Sequence, residues 1–194
     1  RSVDFSDSAS IAAFDFIKKH HVVIDPTVGV FELAFRSLKD SITLIEPAFA
    51  TLPEPMKPLF VNTGVGDDAT IARGKTIVST FKEIVGRLYR DSITIVAGTD
   101  MGFPGFSLAR ELELYVDCGL TPLQAIQTAT ITPAKVMQVA NTSGSIEAGK
   151  QADLIIVDGN PLQTIRDIRN VTTIIKDGNI YDPHQLHLLA GFSK

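Results

Sequence analysis

The chain has 194 residues, a formal net charge of −4, 44% hydrophobic residues and 21% charged residues. This balance allows a packed core, and the excess of acidic side chains excludes a basic footprint for nucleic acid. No stretch approaches the roughly 18 apolar residues that span a bilayer, so we expect no membrane segment. The single cysteine, Cys118, excludes an internal disulfide and favours a reducing, cytoplasmic compartment.

The first third of the chain alternates between helical and extended patterns. Ser8 or Ser10 can cap the first helix, and Pro26 stops the strand that follows. The elements predicted here are a helix over 8–19, a strand over 22–25, a helix over 31–38 and an irregular, proline-rich loop with short helical turns over 40–68.

The middle of the chain repeats the strand-then-helix pattern. Near residues 139–144 this pattern gives way to β-branched strands. Each Thr-Pro pair, Thr121-Pro122 and Thr132-Pro133, places a cap before a first-turn proline. Asp177-Gly178 is a hairpin turn. The elements predicted here are a helix over 70–90, a strand over 93–97, a helix capped by Ser107, strands over 153–157 and 171–176, and a short helix in the tail.

The strand over 93–97 ends abruptly in Gly98-Thr99-Asp100, and a glycine-containing loop follows. A carboxylate at the carboxyl end of a buried strand is where α/β proteins place their chemistry. Because burial is costly for a lone carboxylate, we expect a cation, a metal or a donor beside Asp100. The alternative is that Asp100 only caps the next turn.

Three segments occur in register along the chain: AGTD at 97–100, GLTPLQAIQTAT at 119–130 and GSIEAGKQADLIIVDGNPL at 144–162. Together they resemble the C-terminal part of the amidohydrolase superfamily of metal-dependent hydrolases. The likeness covers about residues 20–183 and is strongest to the branch that holds imidazolonepropionases and related dipeptidases and carboxypeptidases.

The resemblance implies an α/β fold that contains the last two strands and helices of a (β/α)8 TIM-type barrel and part of a small β-sandwich. We place the barrel part at 1–140, the sandwich part at 141–183 and a tail at 184–194. Two units cannot close a barrel of about 250 residues, and the chain opens with Arg1 rather than Met. We therefore expect a missing N-terminal barrel half, or self-association through exposed strand edges.

The resemblance also implies the chemistry. In the family, the Asp of the last barrel strand is both a metal ligand and the group that shuttles the proton, and Asp100 occupies that position. The implied cofactor is zinc, as one or two ions, which acidifies water. The implied reaction is hydrolysis of a C–N bond in a small amide, a cyclic amide or a dipeptide. The rival interpretation is a catalytically incomplete fragment with only a structural or association role.

The histidines do not complete a metal site in this sequence. His20 and His21 are adjacent and precede the strand, at the end of a barrel that serves stability. His184 and His187 lie in the tail, and we expect them to face solvent. One credible ligand is fewer than the three of a catalytic zinc site, so we expect the isolated chain to be inactive.

Further candidates surround the same strand ends. Thr27 follows a strand, and either lines the substrate pocket or supplies a turn hydroxyl. Met101, Phe103 and Phe106 form either an apolar wall for a substrate side chain or simple loop packing. The next helix carries three residues with the spacing of ordinary surface charges, Arg110, Glu111 and Glu113. Of these, Glu111 could also reach the loop.

Overall fold

The computed structural model describes residues 4–100 and 102–193 and shows a mixed α/β chain with a small antiparallel sheet. The α-helices of this described part are α1 (Ser8–Lys19), α2 (Val28–Ala34), α3 (Lys57–Val61), α4 (Asp68–Arg90), α5 (Ser107–Asp117), α6 (Pro122–Thr128), α7 (Ile131–Val136) and α8 (Pro183–Leu189). Its strands are β1 (Leu154–Val157), β2 (Val171–Lys176) and β3 (Asn179–Tyr181). None of these helices combines the length and the apolar character needed to cross a membrane.

Three helices begin earlier than their predicted caps. Asp7, not Ser8 or Ser10, caps α1, because its carboxylate accepts a hydrogen bond from the Ser10 amide. Phe106 precedes α5, so that Ser107 lies inside the helix. Thr130 takes the cap position of α7 instead of Thr132. A proline in the first turn costs no hydrogen bond, so Pro133 does not determine where α7 begins.

The Thr121 cap is confirmed. Its hydroxyl accepts from the Gln124 amide, and the Gln124 side chain accepts from the Thr121 amide, which completes a capping box. The second helix differs from its prediction, since α2 covers Val28–Ala34 rather than 31–38. It begins directly at the end of the extended segment over 22–25.

The predicted strands over 22–25 and 93–97 are shorter than expected. They are extended segments that share one parallel bridge, between Ile24 and Ile95. A pair of strands is marginal in water without further neighbours, which accounts for the short pairing. The parallel direction places both carboxyl ends at the same edge.

The main core packs these two segments against α4 and α5. Cys118 belongs to this core, as the sequence predicts. The most buried apolar side chains in it are Val28, Val85, Leu88, Ile93, Ile95, Leu112, Leu114, Tyr115, Leu120 and Ala125. Burying apolar side chains stabilises the fold by about 1.5–3 kcal/mol each, so this cluster holds the two strand ends in place.

The proline-rich segment over 40–68 has the short helical turns that the sequence predicts. It contains α3 and 3₁₀ helices at Ile42–Leu44, Pro47–Thr51 and Glu54–Met56. Its apolar side chains form a second core with the loop after residue 100 and with the tail. This second core contains Leu33, Ile42, Ile45, Leu52, Phe60, Phe103 and Phe192.

A buried arginine closes the same segment. The Arg36 guanidinium donates to the carbonyl oxygens of Asp40 at 2.8 Å, Val61 at 2.7 Å and Thr63 at 3.0 Å. Buried carbonyls without partners are costly, and one guanidinium has five donors. Arg36 therefore joins the two ends of a segment that has little regular structure of its own.

The small sheet has the order β1-β2-β3, with both pairs antiparallel. Lys176 pairs with Asn179 across Asp177-Gly178, which confirms the predicted hairpin. The predicted tail helix is confirmed as α8, which packs against β2. The 3₁₀ helix Ile165–Arg169, between β1 and β2, packs against α5 and joins the sheet to the rest of the chain.

Candidate functional site

The carboxyl ends of the two extended segments lie side by side. The Ile24 amide donates to the Thr94 carbonyl oxygen, and the Val96 amide donates to the Ile24 carbonyl oxygen, both at 3.0 Å. Beyond this pairing, the Gly98 amide donates to Asp25 Oδ1 at 2.8 Å. Both strand ends therefore meet at one edge, which is where α/β folds place functional groups.

Gly98 is required by this close approach. A Cβ at this position would lie 2.0 Å from Oδ2 of Asp25. Any side chain at residue 98 would therefore displace the Asp25 carboxylate and break its bond to the amide. The AGTD segment therefore needs a glycine at this position for steric reasons, which the sequence alone does not show.

Asp100 follows in a left-handed backbone conformation, with φ of 51°. Asp tolerates this region better than most residues. The side chain is exposed, which corrects the expectation of a buried carboxylate with a partner beside it. An exposed carboxylate stays hydrated, so it needs no cation or donor to offset desolvation. Its oxygens are open to a ligand.

Thr27 also has a left-handed backbone, with φ of 46°, which is a genuine outlier for a β-branched residue. It occupies the cap position of α2, but its side chain makes no capping hydrogen bond. Its half-buried position leaves both predicted roles open. The contact between the two strand ends runs through Asp25 and Gly98 rather than through Thr27 and Asp100.

Glu111, which the sequence interpretation did not choose as a site residue, contacts the end of the first extended segment. Its side chain is 1% exposed, and its two carboxylate oxygens accept from the amides of Val28 at 2.8 Å and Gly29 at 2.7 Å. Burial raises the pKa of Glu111 above its ordinary value, although the bonds from Gly29 and Val28 favour the charged form, and the Asp25 charge raises it further. Glu111 therefore connects α5 to the end of the first extended segment.

Tyr115 lies one turn after Glu111 on the same helix. Its hydroxyl donates to the Val96 carbonyl oxygen at 3.1 Å. Burial, together with the nearby Glu111 charge, raises the pKa of this hydroxyl. Residues four apart share a helix face, so α5 contacts both strand ends with one face. That i,i+4 spacing is the one sequence signal that points to Glu111.

Arg110 and Glu113, predicted to be ordinary surface charges, are part of a largely buried chain of ion pairs. Arg110 forms a two-pronged pair with Glu32 at 2.7 and 2.8 Å, and contacts Glu113 at 2.8 Å. Glu113 accepts from Arg169 at 2.5 Å, and Arg169 pairs with the fully buried Glu46 at 2.9 and 3.0 Å. The chain is buried because α5 lies beneath both α2 and the 3₁₀ helix of Arg169.

The remaining predicted residues divide between packing and the tail. Phe103 is 4% exposed and packs against Phe60, with ring centroids 4.6 Å apart, a position that favours loop packing over a substrate wall. Phe106 lies against His187 at 5.2 Å. His187 is therefore half-buried rather than solvent-facing as predicted. Met101 lies outside the described residues.

A small cavity of about 20 Å³ lies beside the strand ends. Thr99, Gly102, Phe103 and Glu111 contribute to its lining. Its size suits about one water molecule. An amide substrate would therefore need the open side of the Asp100 turn rather than this cavity.

The described residues do not assemble a metal centre. Within residues 4–100 and 102–193, no three His, Cys, Asp or Glu side chains converge to hold an ion. Asp25 and Asp100 offer two accessible carboxylates at the strand ends, and a catalytic zinc site uses three protein ligands. The donor set does not fit a complete metal site.

The comparisons with known proteins agree with the motifs. A model of the amidohydrolase family matches residues 10–181. Ochratoxinase from Aspergillus niger is 37% identical over 94 residues, which cover 46% of this chain and 19% of that protein. Imidazolonepropionase from Brevibacillus brevis is 33% identical over 96 residues, which cover 45% of this chain and 22% of that protein.

Solved structures show the same fold. The crystal structure of a Xaa-Pro dipeptidase with methionine in its active site matches with a TM-score of 0.64 at 24% identity, over 92% of this chain and 38% of that one. That of Aspergillus niger ochratoxinase matches with a TM-score of 0.62 at 23% identity, over 93% of this chain and 36% of that one. The chain thus spans well under half the length of the relatives it matches.

Proposed function

Because the chain belongs to the amidohydrolase family, we propose that it carries the Asp100 strand end of a hydrolase that cleaves a C–N bond of a small amide, a cyclic amide or a dipeptide. One observation supports this most directly: Asp100 is an exposed carboxylate on a left-handed turn at the carboxyl end of a strand. Strained backbone of this kind clusters at functional sites. The relatives include an imidazolonepropionase and a Xaa-Pro dipeptidase.

The proposed role of Asp100 is proton transfer. Water attacks the carbonyl carbon while the carboxylate takes its proton, and the C–N bond then breaks as the same proton passes to the leaving nitrogen. Exposure leaves the Asp100 carboxylate within reach of a bound substrate. Thr27, at the neighbouring strand end, is the proposed substrate contact, and Phe106 borders the same loop.

Members of this family are generally metal-dependent, and a bound metal supplies an acidified water. The residues described here offer two exposed carboxylates at the strand ends, Asp25 and Asp100, and do not fit a complete site. No step of the proposal therefore passes through a metal. The binding of one or two zinc ions remains a prediction, and it would need further ligands from outside these residues.

The proposal includes a position in the fold. Residues 22–25 and 93–97 are the last two strands of a TIM-type barrel, residues 1–140 are its barrel region, residues 141–183 belong to a β-sandwich and residues 184–194 are the tail. The parallel bridge between Ile24 and Ile95 supports this, as does the separate antiparallel sheet.

The test is hydrolysis by the protein expressed from its complete reading frame, on a panel of dipeptides, N-acyl amino acids and cyclic amides. We expect Asp100→Asn to lower kcat by about 100-fold or more, the contribution of a general acid-base. Asp177→Asn is the matched control, because Asp177 is also exposed, with φ of 51°, but lies in the hairpin. Full activity of Asp100→Asn contradicts the proposed role.

A second candidate is a structural or association role without catalysis. The incomplete donor set favours it, as does the exposure of all three residues of β3. This candidate predicts no hydrolysis on the whole panel and concentration-dependent self-association in sedimentation experiments. A monomer that hydrolyses any of these substrates contradicts it.

A further inference from the structure

The turn that carries Asp100 is connected to a second carboxylate, Glu111, by a continuous path of hydrogen bonds and backbone. Glu111 accepts from the amides of Val28 and Gly29, just after the first strand end. Three residues before Val28, Asp25 accepts from the Gly98 amide, just before Asp100. We propose that Glu111 is a positioning residue that fixes both strand-end turns and thereby the placement of Asp100.

Burial makes the Glu111 contact rigid. A carboxylate that is 1% exposed has no water to replace a lost donor, so it must keep both amide bonds. Such charge-assisted bonds are about twice as strong as neutral ones. The loop over 25–29 is therefore fixed in position relative to α5.

Space is limited on the other side of the same contact. A Cβ at Gly29 would lie 3.1 Å from Oε2 of Glu111, so the carboxylate fits directly against the helix backbone. The left-handed Thr27 turns the chain so that the next two amides face Glu111. The backbone conformation at Thr27 is thus matched to an acceptor that lies 83 residues away from Val28 along the chain.

Three features connect the second strand end to the first strand end and to α5. Asp25 accepts from Gly98, and Glu111 lines the same small cavity as Thr99. Tyr115, on the same face of α5, donates to the Val96 carbonyl oxygen. A displacement of the 25–29 loop therefore reaches Gly98 and Thr99, the two residues that precede Asp100.

The inference rests on the proposed function for its catalytic consequence, but its structural part is tested separately. The first readout is hydrogen exchange of the Gly29 and Gly98 amides in the protein expressed from its complete reading frame. In Glu111→Gln one amide loses its charged acceptor, and hydrogen bonds to charged groups are stronger than those to neutral ones. We expect exchange at both glycines to become about 10-fold faster.

The second readout is kinetic. We expect Glu111→Gln to lower kcat by about 10-fold with KM nearly unchanged, since a displaced Asp100 affects proton transfer more than binding. Gly29→Ala is the second variant, because it moves the carboxylate by steric contact while keeping its charge, and it should have the same effects. Asp117→Asn is the control, since Asp117 lies on the same helix but forms an exposed pair with Lys82.

The outcomes separate the two proposals. Unchanged exchange at Gly98 in both Glu111→Gln and Gly29→Ala overturns the positioning role, whatever the activity. A wild-type protein without hydrolytic activity overturns the proposed function, while faster exchange at Gly98 in the variants still supports the connection between the two turns. Faster exchange with unchanged kcat overturns the placement of Asp100 by Glu111.

Discussion

The strand-end region, residues 22–29 and 93–100, and the sheet region, residues 154–181, are built in opposite ways. The strand-end region has a single bridge, yet Ile93 and Ile95 are among the most buried residues of the core. The sheet region has two antiparallel ladders, yet Ile155 is 51% exposed and β3 is exposed throughout. A regular hydrogen-bond ladder and a buried core are therefore separate contributions to the fold.

The difference shows where each region obtains its stability. Net gains from hydrogen bonds are modest, because the unfolded chain bonds to water instead. Burial of apolar area is the dominant favourable contribution. The strand-end region is held by the packing of α4 and α5, whereas the sheet region depends on its attachment through α8 and the 3₁₀ helix that carries Arg169.

The attachment of the sheet region is the most sensitive point. Arg169→Ala leaves Glu46, which is fully buried, and Glu113 without their shared partner. Breaking such a buried pair costs about 3–5 kcal/mol, and we expect this decrease in the free energy of unfolding, measured with urea. Arg166→Ala, on the same 3₁₀ helix but exposed, is the control and should differ little from wild type. Equal stability of the two variants would show that the ion-pair chain does not hold the sheet region.

Truncating one apolar side chain in each region tests the difference in burial directly. Leu114, in the main core, is fully buried, while Ile155 in β1 is half exposed. Both substitutions to alanine remove the same number of carbon atoms. We expect Leu114→Ala to lower the free energy of unfolding by about 3 kcal/mol and Ile155→Ala by about 1 kcal/mol. A loss of stability in Ile155→Ala that is clearly larger than this value would mean that the exposed face of the sheet is covered by another surface in solution.

The smallest expected effect is the pH dependence of the Glu111 contact. The pKa of Glu111 is raised in the folded state, so the folded protein binds this proton more tightly than the unfolded chain does. Its contribution to stability is therefore present below the ordinary glutamate pKa and is lost as the pH rises through the raised value. Gln at this position does not titrate.

Urea unfolding of wild type and Glu111→Gln, from about pH 4 to about pH 8, measures this contribution. The free energy of unfolding of wild type minus that of the variant should fall as the pH rises, since other groups titrate alike in both proteins. The neighbouring Asp25 and Tyr115 remain in both. A difference that rises with pH would indicate that the two amide bonds outweigh burial, and the strand-end region would then owe more to hydrogen bonding than we infer.

Sequence reasoning predicted the strand end that carries Asp100 but not the residues that hold this strand end in place. The end of an apolar run at Gly98-Thr99-Asp100 identified the second strand end, and the Asp177-Gly178 hairpin followed from local turn chemistry. The exposure of Asp100 was not predictable, because it depends on how the loop after it packs. The sequence allows Glu111 to reach the loop but does not single it out, because its spacing is that of surface charges and a Glu in a helix is usually exposed.

What the sequence by itself determined is local: the helices with an apolar stripe, the Thr121 cap, the hairpin and the family motifs all follow from residues a few positions apart. What only the tertiary structure decided involves distant residues. Glu111 meets Val28 across 83 positions, and Arg169 meets Glu46 across 123. No local pattern encodes such pairs, because whether a charge is buried depends on which elements the whole chain packs around it.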